Sequence, residues 1–100
     1  MKPIRFHPEA TTELAGARAF YEARRDRLGD DFLSESDHAV GLLRDHPHLG
    51  APHKRTRFRR LRLRRFPYVV YYLDSPDLIR VIAVAHDSRR PDYWIGRRLN

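Results

Sequence analysis

The stretch from Arg57 to Tyr72 reads RFRRLRLRRFPYVVYY, and its alternation of residue types decides the fold of the C-terminal half. From Arg60 to Arg64 the order is Arg, Leu, Arg, Leu, Arg. Because successive side chains of a strand point to opposite faces of the sheet, a strand here places the leucines on one face and the arginines on the other. The leucine face predicts a contact with the core, and the arginine face predicts an anionic partner.

Two more strands follow this one, and short turn signals separate them. The predicted strands cover residues 58–64, 68–73 and 78–86. Phe66-Pro67 provides the first turn, and the sequence DSPD at residues 74–77 provides the second. Such short connections predict an antiparallel meander. The second and third of these strands are apolar on both faces for most of their length, which is typical of central strands.

The N-terminal half predicts one short strand and two helices. Residues 4–6 alternate apolar, charged and apolar, and Pro8 then suits the first turn of a helix that runs to about Arg25. We expect Leu28-Gly29 to end this helix, a second helix to run from Asp30 to His46, and residues 47–56 to form a loop. The predicted fold class is α+β, in the order β-α-α-β-β-β, with an antiparallel helical hairpin packed on a small, mainly antiparallel sheet.

The composition predicts one domain over residues 1–100 in a reducing cytoplasm. The chain has 100 residues, of which 41% are hydrophobic, and no cysteine. No segment has the apolar length of a membrane span or the pattern of a signal peptide, so we expect no membrane partner.

The positive charge is concentrated in one segment. The formal net charge is +7, and residues 53–65 contain eight Lys or Arg and no acid. This segment predicts a polyanionic partner, either nucleic acid or an acidic protein segment, which would neutralise a face that lacks acids of its own. A basic face that is merely solvated remains the alternative.

A second candidate site lies where the last predicted strand ends. His86 closes this strand and is followed by Asp87, Arg89, Arg90, Tyr93 and Trp94. Ribonuclease chemistry at this position would need groups that transfer protons, for which the candidates are His86, Arg90 and Tyr93. Arginine stays protonated and is a poor base, so we expect binding and not catalysis. His86 as a hydrogen-bonded cap of the sheet, and Tyr93 and Trp94 as core residues, are the structural alternatives.

The histidines and the remaining motifs give no support to a cofactor or a metal. His46, His48 and His53 cluster in the predicted loop, but no cysteine or suitably spaced carboxylate accompanies them. We interpret them as solvated loop residues. The sequence has no glycine-rich phosphate loop and no nucleophile elbow.

Three segments together resemble the RelE/ParE superfamily of bacterial toxins, which belong to type II toxin–antitoxin systems. They read FHPEATTEL (6–14), RFPYVVYYL (65–73) and AVAHDSRRPDYW (83–94), and the likeness covers nearly the whole chain. The resemblance implies that an acidic antitoxin neutralises the chain through its C-terminal segment, within a possible hetero-oligomer of toxin and antitoxin. It also implies one of two targets: DNA gyrase in the ParE branch, or mRNA on the ribosome in the RelE branch.

The residues at two positions favour the ParE branch. A RelE-like endonuclease carries alternating basic residues on this strand, which Arg60, Arg62 and Arg64 match, but Tyr68 stands where its next arginine is expected. Trp94 is similarly more ParE-like. The resemblance therefore implies a gyrase inhibitor, with an mRNA endonuclease or a noncatalytic nucleic-acid-binding module as alternatives. The expected binding residues, for antitoxin or target, are Arg60, Arg62, Arg64, Tyr68, Arg89, Arg90 and Trp94.

Overall fold

The computed structural model describes residues 2–99 and contains two helices and a five-stranded sheet. The elements are β1 (Ile4–Phe6), α1 (Pro8–Arg24), α2 (Leu28–Leu42), β2 (Ala51–Pro52), β3 (Arg59–Arg62), β4 (Tyr68–Asp74) and β5 (Ile79–His86). The strand order is β1-β5-β4-β3-β2, in which β1 pairs with β5 in parallel and every other pair is antiparallel. The α+β class, the helical hairpin and the C-terminal meander are confirmed.

The start of α1 follows from three consecutive residues. His7 precedes the helix, and its Nδ1 accepts a hydrogen bond from the backbone N–H of Glu9. Pro8 lacks an N–H and so leaves no donor unpaired at the first helical position, while the Glu9 carboxylate complements the positive end of the helix dipole. The helix therefore begins directly after the first strand.

The turn between the helices differs from the prediction, because Leu28 and Gly29 begin α2 instead of ending α1. The Glu22 carboxylate accepts hydrogen bonds from the backbone N–H groups of Arg27 and Gly29, and Arg27 has a left-handed φ of 71°. A Cβ atom on Gly29 would lie 2.5 Å from the carbonyl oxygen of Arg18. Gly29 thus permits close approach of the two helices. From the sequence alone, this glycine is interpreted as a helix end.

The segment predicted as a loop, residues 47–56, contains the short strand β2. Ala51 pairs with Arg60, and the buried Tyr72 fixes the preceding residues through its hydroxyl. That hydroxyl donates to the carbonyl oxygen of Pro47 at 2.7 Å and accepts from the N–H of Gly50 at 2.9 Å. A buried tyrosine of β4 therefore orders the segment that becomes the edge of the sheet.

Both faces of the sheet are covered. The helices cover one face, where a buried cluster includes Phe32, Val70 and Val81. On the opposite face, the C-terminal tail (residues 87–99) brings Trp94 against Phe58 and β5. The predicted helices and strands therefore form a three-layer arrangement in which the tail is the third layer. Within residues 2–99, no helix has the length and apolar character to cross a membrane.

Candidate binding site

The arginine row, defined as Arg60, Arg62 and Arg64, lies exposed along β3 and the residues after it, as the alternation predicted. Leu61 and Leu63 point to the core beneath the helices. The row therefore lies on the face of the sheet opposite the helices.

The prediction that this face has no acid to neutralise it is wrong for Arg62. Its guanidinium donates to both carboxylate oxygens of Asp87, at 2.7 and 2.5 Å. Hydrogen bonding from Arg62 holds the pKa of Asp87 below its usual value, and the same bonds raise the pKa of Arg62. The two side chains remain 60% and 37% exposed, so solvent screens the pair and a stronger partner can displace it at little cost.

The other two arginines of the row have no acidic partner within residues 2–99. The Arg60 guanidinium donates to the carbonyl oxygen of Pro52 at 2.7 Å. The Arg64 side chain is exposed, and its backbone N–H donates to the Glu35 carboxylate at 2.6 Å. The same carboxylate accepts from the N–H of Arg65 at 3.1 Å, which explains why β3 ends earlier than predicted. The backbone here is fixed while the Arg64 side chain is available to a partner.

An apolar groove runs beside the row, between α2 and β3. Its volume is about 410 Å³, and two of its leucines, Leu42 and Leu49, are 39% and 48% exposed. The polar lining residues are Glu35, His38, Arg62, Arg64 and Arg65, and the Glu35 carboxylate already accepts two backbone hydrogen bonds. The apolar lining residues are Ala39, Leu42, Leu49, Leu61 and Leu63. The groove suits an amphipathic segment with apolar residues on one side and acids on the other.

Tyr68 lies on the helix side of the sheet, not beside the row. Its ring packs against Phe32 and His86, with 5.1 Å between ring centroids in each case. Burial raises the pKa of its hydroxyl. Tyr68 therefore serves mainly as a packing residue at the start of β4.

The second candidate site forms a small cavity of about 140 Å³ at the end of β5. His86, Asp87, Arg89, Arg90 and Tyr93 all line it. The guanidinium of Arg89 stacks over the ring of Tyr93 at 3.9 Å, and Arg90 is exposed. The sequence candidates are thus brought together, with two cations at the surface.

The hydroxyl of Tyr93 is occupied by an internal contact that sequence reasoning missed. It donates to the Glu13 carboxylate, which also binds the Arg97 guanidinium at 2.9 Å and accepts from the N–H of Val84. Burial and the bond to Glu13 raise the pKa of Tyr93 well above its usual value. Burial raises the pKa of Glu13, but hydrogen bonds from Arg97 and Tyr93 outweigh it and lower that pKa overall. This network joins the tail to α1.

Internal hydrogen bonds occupy the Tyr93 hydroxyl and one ring nitrogen of His86. A hydroxyl with a strongly raised pKa does not ionise near neutral pH, where an efficient base or acid needs to titrate. His86 Nδ1 accepts the N–H of Ser88 at 2.9 Å, which matches the alternative of a histidine that caps the sheet. The arrangement offers cations and a cavity, and these features favour binding.

Trp94 is 1% exposed, so it presents almost no surface to a partner. It packs against Phe58, Tyr71 and His53, with ring centroids 5.1, 4.5 and 5.5 Å away. The interpretation of His53 as a solvated residue is wrong: it is 6% exposed, and its Nε2 lies 2.7 Å from Asp92. Lys54 also contacts Asp92, at 2.5 Å. These contacts attach the tail to the loop before β3.

Sequence reasoning missed Glu13, Arg97 and His53 because each makes its key contact across a long stretch of chain. Glu13 and Arg97 are 84 residues apart, and His53 and Asp92 are 39 apart. An acid on the sheet-facing side of α1 was the one available signal for Glu13. Within residues 2–99, no group of three or more His, Cys, Asp or Glu is placed to hold a metal ion.

Comparisons with known proteins give one matching family and one likeness of fold. The family described as "ParE toxin of type II toxin-antitoxin system, parDE" matches residues 4–91. A solved structure titled "Chromosomal ParDE TA system from P. aeruginosa" superposes with a TM-score of 0.63 and 15% identity, covering 86% of this chain and 96% of that one. Its low identity makes this a likeness of fold alone. A comparison with curated protein sequences found no significant match.

Proposed function

The chain belongs to the ParE toxin family of type II toxin–antitoxin systems, and from this premise we propose that it inhibits DNA gyrase and is neutralised by an acidic antitoxin. Residues 1–100 act as one toxin domain in this proposal. Because gyrase acts on chromosomal DNA, the toxin acts in the bacterial cytoplasm in this proposal. When it is neutralised, it forms a hetero-oligomer with its antitoxin.

The single observation that carries the gyrase target over mRNA cleavage is the contact between Tyr93 and Glu13. A ribonuclease needs a group that takes the proton of the ribose 2′-hydroxyl and a group that gives one to the leaving oxygen. The Tyr93 hydroxyl is already bound to a carboxylate, and its pKa is raised. Tyr68, which replaces the arginine expected in a RelE-like enzyme, packs under the helices. These features support inhibition through contact.

The surface beside β3 supports the antitoxin proposal. Its apolar groove and its arginine row lie next to each other, so one amphipathic segment can bury its apolar residues and pair its acids at the same time. The structural relative is titled as a toxin–antitoxin system, which is consistent with a partner on a ParE-like fold. We propose that the antitoxin's acidic C-terminal segment occupies the groove and contacts Arg60, Arg62 and Arg64. Arg89 and Arg90, at the other site, remain available to the target.

The proposal is tested with purified gyrase. The wild-type chain, added to a supercoiling reaction, is expected to inhibit it, and addition of the antitoxin is expected to restore supercoiling. The variants His86→Gln and Tyr93→Phe should inhibit about as well as wild type, because neither residue transfers a proton in this account. Arg89→Ala combined with Arg90→Ala should inhibit less, since it removes two exposed cations.

Mapping of mRNA ends after induction in cells separates the alternatives. We expect no codon-phased cuts. Ribosome-dependent cleavage that is lost in Tyr93→Phe or His86→Gln would overturn the gyrase assignment and make the chain an endonuclease. Growth arrest without gyrase inhibition and without cleavage would also contradict the proposal.

A further inference from the structure

A second basic cavity lies at the opposite edge of the sheet from the arginine row. It has a volume of about 370 Å³ and is lined by Arg5, Arg80 and Arg98, by His7, and by apolar groups of Phe6, Pro8 and Leu99. Among the residues that the structure describes, no acidic side chain lines it. Within residues 2–99, none of the three arginines forms a salt bridge, whereas six other Lys and Arg side chains do.

The positions of Arg5 and Arg80 follow from the strand register. Arg5 of β1 is the direct partner of Arg80 of β5, and the neighbouring residues of both strands point into the core beneath the helices. Both arginines therefore lie side by side on the face opposite the helices. Neighbouring strands are only about 4.8 Å apart, so the two like-charged side chains leave the sheet from adjacent positions. Two like charges in register are destabilising unless an anion lies between them.

Other features of the cavity add to this positive charge. The tail brings Arg98 to the same cavity, and the N-terminus of α1 lies at its wall, where His7 and Pro8 stand. The positive end of the helix dipole favours an anion at this position. Three guanidinium groups have the donor geometry that binds phosphate oxygens in pairs. The positive charge of the three guanidinium groups exceeds what one carboxylate would neutralise.

The remaining wall of the cavity is apolar. Phe6, Pro8 and Leu99 line it, and the volume is in the range of small-ligand sites. A phosphomonoester carries about −1.5 to −2 charges at neutral pH, which matches a cluster of three arginines better than a single carboxylate does. An apolar wall next to that cluster suits the flat face of a nucleobase. We propose that this cavity binds the phosphomonoester of a nucleotide, with the base against Pro8 and Leu99.

The proposal does not depend on gyrase as the target, and a binding experiment with the full chain tests it. Calorimetric titrations compare adenosine 5′-monophosphate, adenosine, inorganic phosphate and a 5′-phosphorylated dinucleotide. The test variant is Arg5→Gln with Arg80→Gln. The control is Arg24→Gln with Arg25→Gln, which removes the same charge from the exposed C-terminal end of α1. The monophosphate should bind wild type and control alike, and the test variant at least about tenfold more weakly.

Four titration results would overturn the proposal. The first is absence of binding by any phosphorylated probe, and the second is an equal loss in both variants, which would reveal a general charge effect. The third is binding of an acidic peptide such as oligoglutamate in preference to the monophosphate, which would assign the cavity to a protein partner. The fourth is binding of adenosine as tightly as its monophosphate. The relative affinities of the monophosphate and the dinucleotide distinguish a free nucleotide from a strand end.

Thermal unfolding provides a readout that is independent of affinity. In phosphate-free buffer, Arg80→Gln should leave the melting temperature unchanged or raise it, because it removes the repulsion between Arg5 and Arg80. Adenosine monophosphate should raise the melting temperature of wild type and have less effect on this variant. A lower melting temperature for Arg80→Gln without ligand would assign the side chain a structural role and contradict the proposal.

Discussion

The arginine row and the C-terminal tail are both basic in sequence, but the fold uses their charges differently. In the row, Arg60 and Arg64 lack acidic partners in the described chain, and only Arg62 is paired. In the tail, Arg97 lies against Glu13 with its side chain only 10% exposed, and Trp94 is buried. The row leaves its charge at the surface, whereas much of the tail packs on the sheet as the third layer.

This difference means that local charge density is a poor guide to which cations are available for binding. Most of the eight basic residues between positions 53 and 65 lie at the surface, although Lys54, Arg62 and Arg65 pair with acids from other segments. The tail contains Asp87 and Asp92, which pair with cations of the β3 region. Substitutions in the tail should therefore lower stability, and substitutions in the row should lower partner binding.

The largest expected effect is that of Trp94→Ala. Removing a buried indole that packs against three aromatic rings should lower the free energy of unfolding by about 4 kcal/mol. Urea unfolding measures the change, with Ile95→Ala as control because Ile95 is its 40% exposed neighbour. Equal, small losses in both variants would mean that the tail is not packed on the sheet.

Glu13→Gln should have the next largest effect. It would leave the nearly buried guanidinium of Arg97 without its main charged partner, at a cost of about 3 kcal/mol in unfolding free energy. Glu9→Gln is the matched control, because the 65% exposed Glu9 lies 3.6 Å from Arg97. If the two variants are equally stable, the Glu13 network is not what attaches the tail to α1.

The stabilities of wild type and Glu13→Gln should depend differently on pH. The pKa of Glu13 is lower in the folded than in the unfolded chain, so its charge stabilises the fold above the unfolded pKa of about 4.3. This contribution is lost as the pH falls through the folded pKa. The stability difference between wild type and Glu13→Gln should therefore be full at neutral pH and shrink below pH ~4. A difference that is constant from neutral to acidic pH would refute this role.

The smallest effect is predicted for Asp87→Asn, which releases Arg62 from its exposed ion pair. Stability should change little, because the pair is screened by solvent. The association rate with an acidic antitoxin should rise by roughly a few-fold, since steering by surface charge acts on association. Asp77→Asn, in the turn between β4 and β5, is the control for net charge. An equal rise in both variants would indicate that net charge and not Arg62 sets the rate.

Much of the fold could be predicted because it depends on local patterns. The alternation from Arg60 to Arg64 gave the two faces of β3, and Pro8 gave the start of α1. The errors involved long-range contacts. Gly29 was interpreted as a helix end because the close approach to Arg18 is invisible in sequence. The short strand β2 was missed because it depends on pairing with β3 and on the buried hydroxyl of Tyr72.

The candidate sites were less predictable than the fold. Exposure of the arginine row followed from its period of two, but the pairing of Arg62 depends on where Asp87 lies after β5. The apolar groove has no sequence signal, because Leu42 and Leu49 resemble core residues until α2 and β3 are placed side by side. Tyr93 resembled a proton-transfer residue because its partner Glu13 is 80 positions away.

The central claim is that the arginine row binds an acidic antitoxin, and dissociation kinetics test it most directly. The partner is the acidic protein encoded beside the toxin gene, for which we expect a nanomolar complex. The triple variant Arg60→Ala, Arg62→Ala, Arg64→Ala should dissociate at least about tenfold faster than wild type, because loss of close charge pairs acts mainly on the dissociation rate. The control, Arg5→Ala, Arg24→Ala, Arg25→Ala, removes the same charge elsewhere and should dissociate at nearly the wild-type rate. An unchanged rate in the row variant, or an equal increase in both, would contradict the account.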